Sequence, residues 1–384
     1  MRALFVAFPS PSHFFPLVPL AWALRADGHE VMVASSPSFV ERVSHAGLPA
    51  VPAGETVEIG AIWSGFGVGS AVEAGDRAQQ RAERAMAMFA AVAEAMADDL
   101  IAFARRWRPD VVVYEPRAYA ALVVGAALDI PVVRHLWGTD FTYSRWDIER
   151  AALDPLWTKY DIAAVDPLGR LTVDPCPPSM QVDSVARPLL MRYVTYNGSG
   201  VVPGWVHDQP ARPRVCVTWG TTFAATAGHL SPAQLALAAV TGLDVEVVVA
   251  LSAAQRHLLT EAADNVRVVE SLPLHLLLPS CAAIVHQGGA GTTLTSAASG
   301  LPQLVVPTIA DEPLNGRQIA AVGAGLCLPG GEADVVGVRA AITALIEEPA
   351  YRQAATELRA EILRQPTPAE VAAALTTSAE LARS

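Results

Sequence analysis

The run His286-Gln287-Gly288-Gly289-Ala290-Gly291-Thr292-Thr293 joins residue types that packing alone does not call for. It follows the apolar segment Ala282–Val285, which reads as a buried parallel strand, and precedes Leu294–Ala298, which reads as a helix start. Three glycines between strand and helix let the backbone come close to a ligand. The helix N-terminus adds unpaired N–H groups and a positive dipole end, which suits a diphosphate. His286, at the strand's end, is expected to add a donor or a positive charge. Gly288, Gly289, Ala290, Gly291 and Thr292 are therefore candidate anion-binding residues.

His13 is the second centre of interest. It stands in Ser10-Pro11-Ser12-His13-Phe14-Phe15-Pro16, a loop after the first strand, and open α/β sheets place ligands at that edge. A lone loop histidine is ordinarily a surface or capping residue, but its ordinary pKa near neutrality suits a general base. An acid would orient the ring and stabilise its imidazolium form. Glu115, after the run Asp110–Tyr114, and Asp140, in Leu136-Trp137-Gly138-Thr139-Asp140, both follow strand-like segments. Spacing does not choose between them.

Thr218-Trp219-Gly220-Thr221 repeats the theme of glycine and hydroxyls after a strand. Thr218, Gly220 and Thr221 are read as nucleotide contacts, with an ordinary βα turn as the plainer reading. Asp311-Glu312 follows Gln303–Pro307, and two adjacent acids there can hold sugar hydroxyls by charge-assisted hydrogen bonds. Leu272 and Asn315 complete the donor-side candidates. Trp63, Phe66, Trp137, Phe141 and Trp146 are aromatics that could line an apolar ligand site, while Phe89 reads as core.

The elements that must position these residues alternate between strand-like and helix-like. Arg2–Phe8, Glu30–Ala34, Asp110–Tyr114 and Pro131–His135 read as strands; Leu17–Asp27, Arg77–Trp107 and Ala118–Leu128 read as helices, with an interruption of the long one left open. A second series runs through Arg214–Trp219, Val245–Leu251, Val266–Val269, Ala282–His286 and Gln303–Pro307. Alternation of this kind predicts α/β domains built on doubly wound sheets. Asn197–Arg212 is dense in glycine and proline and reads as the connection between two such domains. The division expected is one α/β domain over 1–204, a linker over 205–213, and a second α/β domain, carrying the glycine loop, over 214–366. A last helix, within 367–384, is expected to pack back on the first domain. Gly60–Asp76 breaks the periodicity and reads equally as a mobile loop beside the cleft or as a surface insertion.

The chain has 384 residues, about half of them apolar, enough for two cores. Its net charge of −11, with Lys159 as the single lysine, argues against nucleic acid. No apolar run reaches the roughly 18–20 residues that span a membrane. The short Leu4–Phe8 run before Pro9 reads as a strand rather than a signal sequence, which places the protein in the cytoplasm. Cys176, Cys216, Cys281 and Cys327 are scattered and read as buried thiols. No cofactor and no metal is expected.

On these motifs the chain resembles the family 1 glycosyltransferases of the GT-B fold, essentially end to end. His286, Gly288, Gly289, Gly291 and Thr292 fit that family's H-x-G-G-x-G-T donor-diphosphate signature. His13 and Pro16 fit its G-H-x-x-P acceptor-base loop, with Ser12 in place of glycine. Asp311-Glu312 stands where the family has an Asp-Gln pair on the donor sugar, so the second residue departs. Pro131–Gly138 is similar to the subgroup that transfers deoxysugars to polyketide aglycones. The resemblance implies a dTDP-deoxysugar donor, a hydrophobic aglycone acceptor, two Rossmann-like domains facing a cleft, and inversion by a single displacement in antibiotic biosynthesis. It implies Glu115 as the partner of His13 in O-glycosylation, or Asp140 as the implicated acid in C-glycosylation. A sugar-nucleotide epimerase and a non-catalytic partner of another glycosyltransferase are rival readings. A dinucleotide dehydrogenase is weaker, because Pro9 and Pro11 follow the first strand where a G-x-G-x-x-G would stand. A homodimer or an activating protein is left open.

Overall fold

The computed structural model describes residues 1–59, 76–143, 146–163, 165–182, 188–220, 230–259, 266–329 and 331–378. In the N-terminal half the elements are β1 Arg2–Val6, α1 Pro11–Phe14, α2 Val18–Ala26, β2 Glu30–Ser35, α3 Val40–His45, β3 Ala50–Pro52, α4 Asp76–Trp107, β4 Val111–Tyr114, α5 Ala120–Leu128, β5 Val132–His135, α6 Trp146–Lys159, β6 Leu171–Asp174 and β7 Leu189–Leu190. The sheet order is β3-β2-β1-β4-β5-β6-β7, and every pairing is parallel. Strand period two divides its side chains cleanly. Leu4, Val6, Val112 and Tyr114 pack under α4 and α5, while Ala3, Phe5, Val111 and Val113 pack under α2.

The C-terminal half repeats the plan with β8 Arg214–Thr218, α7 Ser231–Val240, β9 Glu246–Leu251, β10 Val266–Glu270, α8 Leu274–Leu277, β11 Ala283–His286, α9 Ala290–Ala298, β12 Gln303–Val305, α10 Glu312–Ala321, β13 Gly325–Cys327, α11 Val335–Glu347 and α12 Pro349–Arg364. Its parallel sheet runs β10-β9-β8-β11-β12-β13. The final helix, α13 Pro368–Thr377, starts in a capping box between Thr367 and Glu370. Val371, Ala372 and Leu375 of α13 join the core cluster of the N-terminal sheet, so the chain ends by returning to its first half.

Each sheet reverses direction once, at β1/β4 in the first and at β8/β11 in the second. In open α/β sheets the crevice beyond the strand ends at such a point is where ligands bind. His13 and Glu115 follow β1 and β4; Trp219 and Gln287 follow β8 and β11. The two reversals thus bracket the candidate residues from either side.

Direct contacts join the halves. Tyr193 donates its hydroxyl to the Gly291 carbonyl at 3.3 Å, and Asn197 Nδ2 donates to Thr295 Oγ1 at 3.2 Å. Cys176, Met180 and Tyr193 share an apolar cluster with Leu294, Ala297 and Ile319. A Cβ on Gly138 would sit 2.9 Å from Ala290 Cβ, so only glycine lets the 136–140 loop lie against the start of α9.

Several elements differ from the sequence reading. The Arg77–Trp107 segment is one unbroken helix beginning at Asp76, and it ends where Arg108 turns to φ 53° before Pro109. The edge strands β3, β7 and β13, and β6 next to the edge, have two to four residues each and are too short to show periodicity. No described helix is long and apolar enough to cross a membrane. All four cysteines are free.

Candidate active site

The structure places His13 not in the open loop expected but in the single turn of α1, with Pro11 at its first position. That turn aims the ring back at Glu115, whose Oε2 accepts from His13 Nδ1 at 2.9 Å. Glu115 is buried and held twice more: Phe8 N–H donates to Oε1 at 3.0 Å, and Arg117 N–H to Oε2 at 2.9 Å. Because the carboxylate only accepts, Nδ1 carries the hydrogen and Nε2 keeps its lone pair. The imidazole is walled by Phe8 and Trp137, with ring centroids 5.1 and 4.8 Å away. Its side chain remains 17% exposed, enough for a substrate hydroxyl to reach Nε2.

Asp140 has a different setting. It is buried, and its Oδ1 accepts from Arg134 Nη2, from Thr142 Oγ1 at 3.0 Å and from Tyr143 N–H at 3.2 Å. Of the two acids that spacing left open, Glu115 is the one hydrogen-bonded to His13. Phe89, read as core, is buried, yet its ring also meets Phe8 edge-on and carries the Arg117 guanidinium 5.0 Å above it. Arg117 is itself buried against Tyr119 and Glu149, a network that bolts α6 to the turn after β4. Sequence reasoning missed Arg117 and Glu149, since no local signal pairs residues 32 positions apart.

On the facing sheet Gly288 adopts φ +97°, and a Cβ there would meet Val305 Cγ1 at 2.7 Å and the Glu312 carbonyl at 2.9 Å. Gly289 is the N-cap of α9 and offers no side-chain cap, so the first amides of α9 are open donors. The hydroxyls of Thr293, Thr295 and Ser296 bond back to carbonyls four residues earlier, which lets a polar helix be buried. Asn315 Nδ2 donates both to the Gly288 carbonyl at 2.8 Å and to Asp311 Oδ2 at 2.9 Å, tying the glycine loop to the acid. Burial raises the Asp311 pKa, opposed by its own backbone, by Asn315 and by the charges of His13 and Arg117 across the cleft.

Three expectations are corrected. His286 supplies neither a charge nor a free donor: Gly288 N–H donates to Nδ1 at 3.0 Å, so Nε2–H points to Gln303 Oε1 at 2.9 Å. Burial pushes its pKa down to about 4, which leaves it a neutral pin under the loop. Thr218 donates its hydroxyl to the Ala250 carbonyl at 2.8 Å, inside the sheet rather than towards a ligand. Glu312 folds its Oε2 back onto Thr308 N–H, Thr308 Oγ1 and Ile309 N–H, so that oxygen braces its own loop instead of a sugar. Gly220 lies beside Gln287, and Leu272 packs partly buried near β10. Trp137 and Phe141 are both half-buried in the loop after β5. Thr221, Trp63 and Phe66 lie outside the described residues, as does the side chain of Trp146, which begins α6.

Residues 22–220 match the family model described as "Erythromycin biosynthesis protein CIII-like, N-terminal domain", and residues 234–377 match its C-terminal counterpart. The chain belongs to this family. It is 36% identical to 3-alpha-mycarosylerythronolide B desosaminyl transferase of Saccharopolyspora erythraea, covering 97% of this chain and 96% of that one. It is 38% identical to aklavinone 7-beta-L-rhodosaminyltransferase of Streptomyces galilaeus, covering 97% and 94%. Among solved structures, spinosyn rhamnosyltransferase SpnG superposes with a TM-score of 0.86 at 33% identity over 98% of this chain and 99% of that one. Glycosyltransferase VinC, in complex with dTDP, does so with a TM-score of 0.84 at 33% identity over both chains entirely. This member of the family is therefore a glycosyltransferase of GT-B fold, with its two sheet reversals facing one cleft.

The buried acids and histidines of this glycosyltransferase set opposite pH slopes. Burial pushes Glu312 up to about 8 from an ordinary 4.5. Between those values the folded chain holds a proton that the unfolded chain has released, so stability falls as pH rises. Burial likewise raises Asp174 to about 6, which adds the same slope below that pH. His135 and His286 are pushed down to about 4 from 6.5, so between those values the unfolded chain binds more protons and stability rises with pH. Above pH 6.5 only Glu312 of these four still titrates. Thermal melts from pH 6.5 to 8.5 are expected to show a falling Tm that Glu312→Gln flattens; identical profiles for the two proteins would contradict a protonated Glu312.

Proposed function

We propose that the chain transfers a deoxysugar from a dTDP-sugar to a hydroxyl of a polyketide-type aglycone, inverting the anomeric centre, with His13 as general base. The observation that carries this reading is the His13 Nδ1–Glu115 hydrogen bond of 2.9 Å, which in the neutral ring assigns the hydrogen to Nδ1 and leaves Nε2 as the acceptor. Relatives named as desosaminyl and rhodosaminyl transferases support the deoxysugar and the aglycone class. Solved neighbours described with thymidine diphosphate or dTDP support the nucleotide. A structure of SpnG with spinosyn aglycone supports a large apolar acceptor.

The step is a single displacement. The acceptor oxygen attacks C1 of the sugar as its proton moves to His13 Nε2, and the C1–O bond to the β-phosphate breaks with its electron pair. Negative charge then grows on the diphosphate, where the open α9 amides and the helix dipole stabilise it. Glu115 stabilises the imidazolium as it forms. Trp137 beside His13 offers a flat apolar wall for the aglycone.

Mass spectrometry of products from a panel of dTDP-deoxysugars and polyketide aglycones tests the reading, with anomeric coupling constants reporting inversion. Aglycone-independent change of the donor sugar would indicate epimerisation instead. Because the leaving group is met by amides and the sequence has no D-x-D triplet, transfer is expected to survive EDTA. Strict dependence on Mg²⁺ or Mn²⁺ would count against this mechanism.

A further inference from the structure

With His286 enclosed, the side chain of the signature octapeptide that reaches the β8/β11 crevice is Gln287. Parallel pairing of Val285 with Val217 continues to set Gln287 beside Trp219, at the mouth of the sheet reversal. Its carboxamide is wedged between the two glycine turns that line the crevice. A Cβ on Gly220 would collide with Gln287 Nε2, and one on Gly289 would lie 2.8 Å from it. Both glycines therefore leave room for this one amide.

The amide is also unfinished in its hydrogen bonding. Gln287 is 5% exposed, and its Oε1 is buried without a hydrogen-bond partner among the described residues. Buried side-chain polar atoms are ordinarily paired, so this carboxamide is not fully satisfied by the protein: Oε1 lacks a donor, and Nε2, which makes no hydrogen bond among the described residues, is a donor free to meet a ligand acceptor. Its Nε2 stands next to Gly289, the N-cap of α9, where the neighbouring open groups are all N–H donors. A ligand rich in acceptors fits that company, and a diphosphate has nothing else to offer.

We propose that Gln287 is a catalytic residue of the leaving-group site, its Nε2 donating to the β-phosphate of the nucleotide beside the first amides of α9. The inference rests on the glycosyltransferase reading above and assigns the donor role expected of His286 to its neighbour. Gln287 gives a hydrogen bond and no proton. The electron pair of the breaking C1–O bond goes to the β-phosphate oxygen, and the acceptor's proton still goes to His13. Oriented donors of this sort strengthen as the oxygen gains charge, so their loss falls on kcat.

TDP and TMP differ by that phosphate, which makes their comparison the test. Calorimetric titration of Gln287→Ala is expected to show TMP affinity within twofold of the unaltered protein and TDP affinity at least tenfold weaker. Its kcat is expected to fall about 100-fold. Gln287→Met fills a similar volume without a donor and is expected to behave like the alanine variant. Equal effects on both nucleotides, whether none or a common loss through misfolding, would assign Gln287 to packing and overturn the proposal, as would recovery in Gln287→Met. An unaltered protein that binds neither nucleotide would instead defeat the donor reading itself, so the two failures are told apart.

Discussion

His13→Ala is expected to abolish O-glycoside formation while TDP continues to bind. The ring is fixed in direction by Glu115 and its side chain remains partly exposed. Its Nδ1 is anchored to Glu115, which is itself held by two backbone amides. General-base assistance contributes roughly 10²–10⁴ in rate, and Asp140 is buried against Arg134 and cannot step in. The nucleotide, by contrast, is met by α9 and the turns of the second sheet, across the cleft from the deletion. Product formation by mass spectrometry and TDP binding by calorimetry should therefore separate. Turnover near that of the unaltered protein would remove His13 from the chemistry; loss of TDP binding would mean that the two sheets are coupled more tightly than their contacts indicate.

How much of this was readable beforehand depends on the range of the interaction. The central strands announced themselves because a strand buried on both faces must be apolar throughout, as Val111–Val113 and Val247–Val249 are. Edge strands such as Leu189–Leu190 carry no such constraint and left no mark. The glycine loop was readable because Gly288 needs φ +97° and close approach together, which no other residue supplies. What the side chains around it do was not readable. A histidine on a strand end looks the same in sequence whether it faces a phosphate or, as His286 does, Gln303 seventeen residues on. Gln287 passed for filler because its significance lies in the glycines it touches, one of them 67 positions earlier. Glu312 reads as a sugar ligand because two adjacent acids after a strand can hold hydroxyls, and only the fold reveals that its Oε2 is occupied by Thr308 and Ile309.

The choice between Glu115 and Asp140, undecided by spacing, becomes a prediction of opposite phenotypes. Glu115→Gln keeps size but loses one acceptor oxygen and the negative charge. If its NH₂ takes the place of Oε2, it meets both His13 Nδ1 and the Arg117 N–H and forces the ring hydrogen onto Nε2, the nitrogen that must be the base. If it takes the place of Oε1, it faces the Phe8 N–H, and the His13 contact survives without the charge that stabilises the imidazolium. Both orientations impair the dyad, and a wrong-tautomer defect of the first kind costs roughly 10⁴ in kcat, with little change in KM for the donor. Asp140→Asn acts on a buried ion pair whose partner, Arg134, lies inside the N-terminal sheet. Breaking such a pair costs about 3–5 kcal/mol, so the expected loss is in Tm, with turnover largely kept below the melting transition. The measurement is kcat and Tm for both variants at a temperature where each is folded. A folded Asp140→Asn that turns over more slowly than Glu115→Gln would transfer the base to Asp140, and with it the expected linkage from oxygen to carbon.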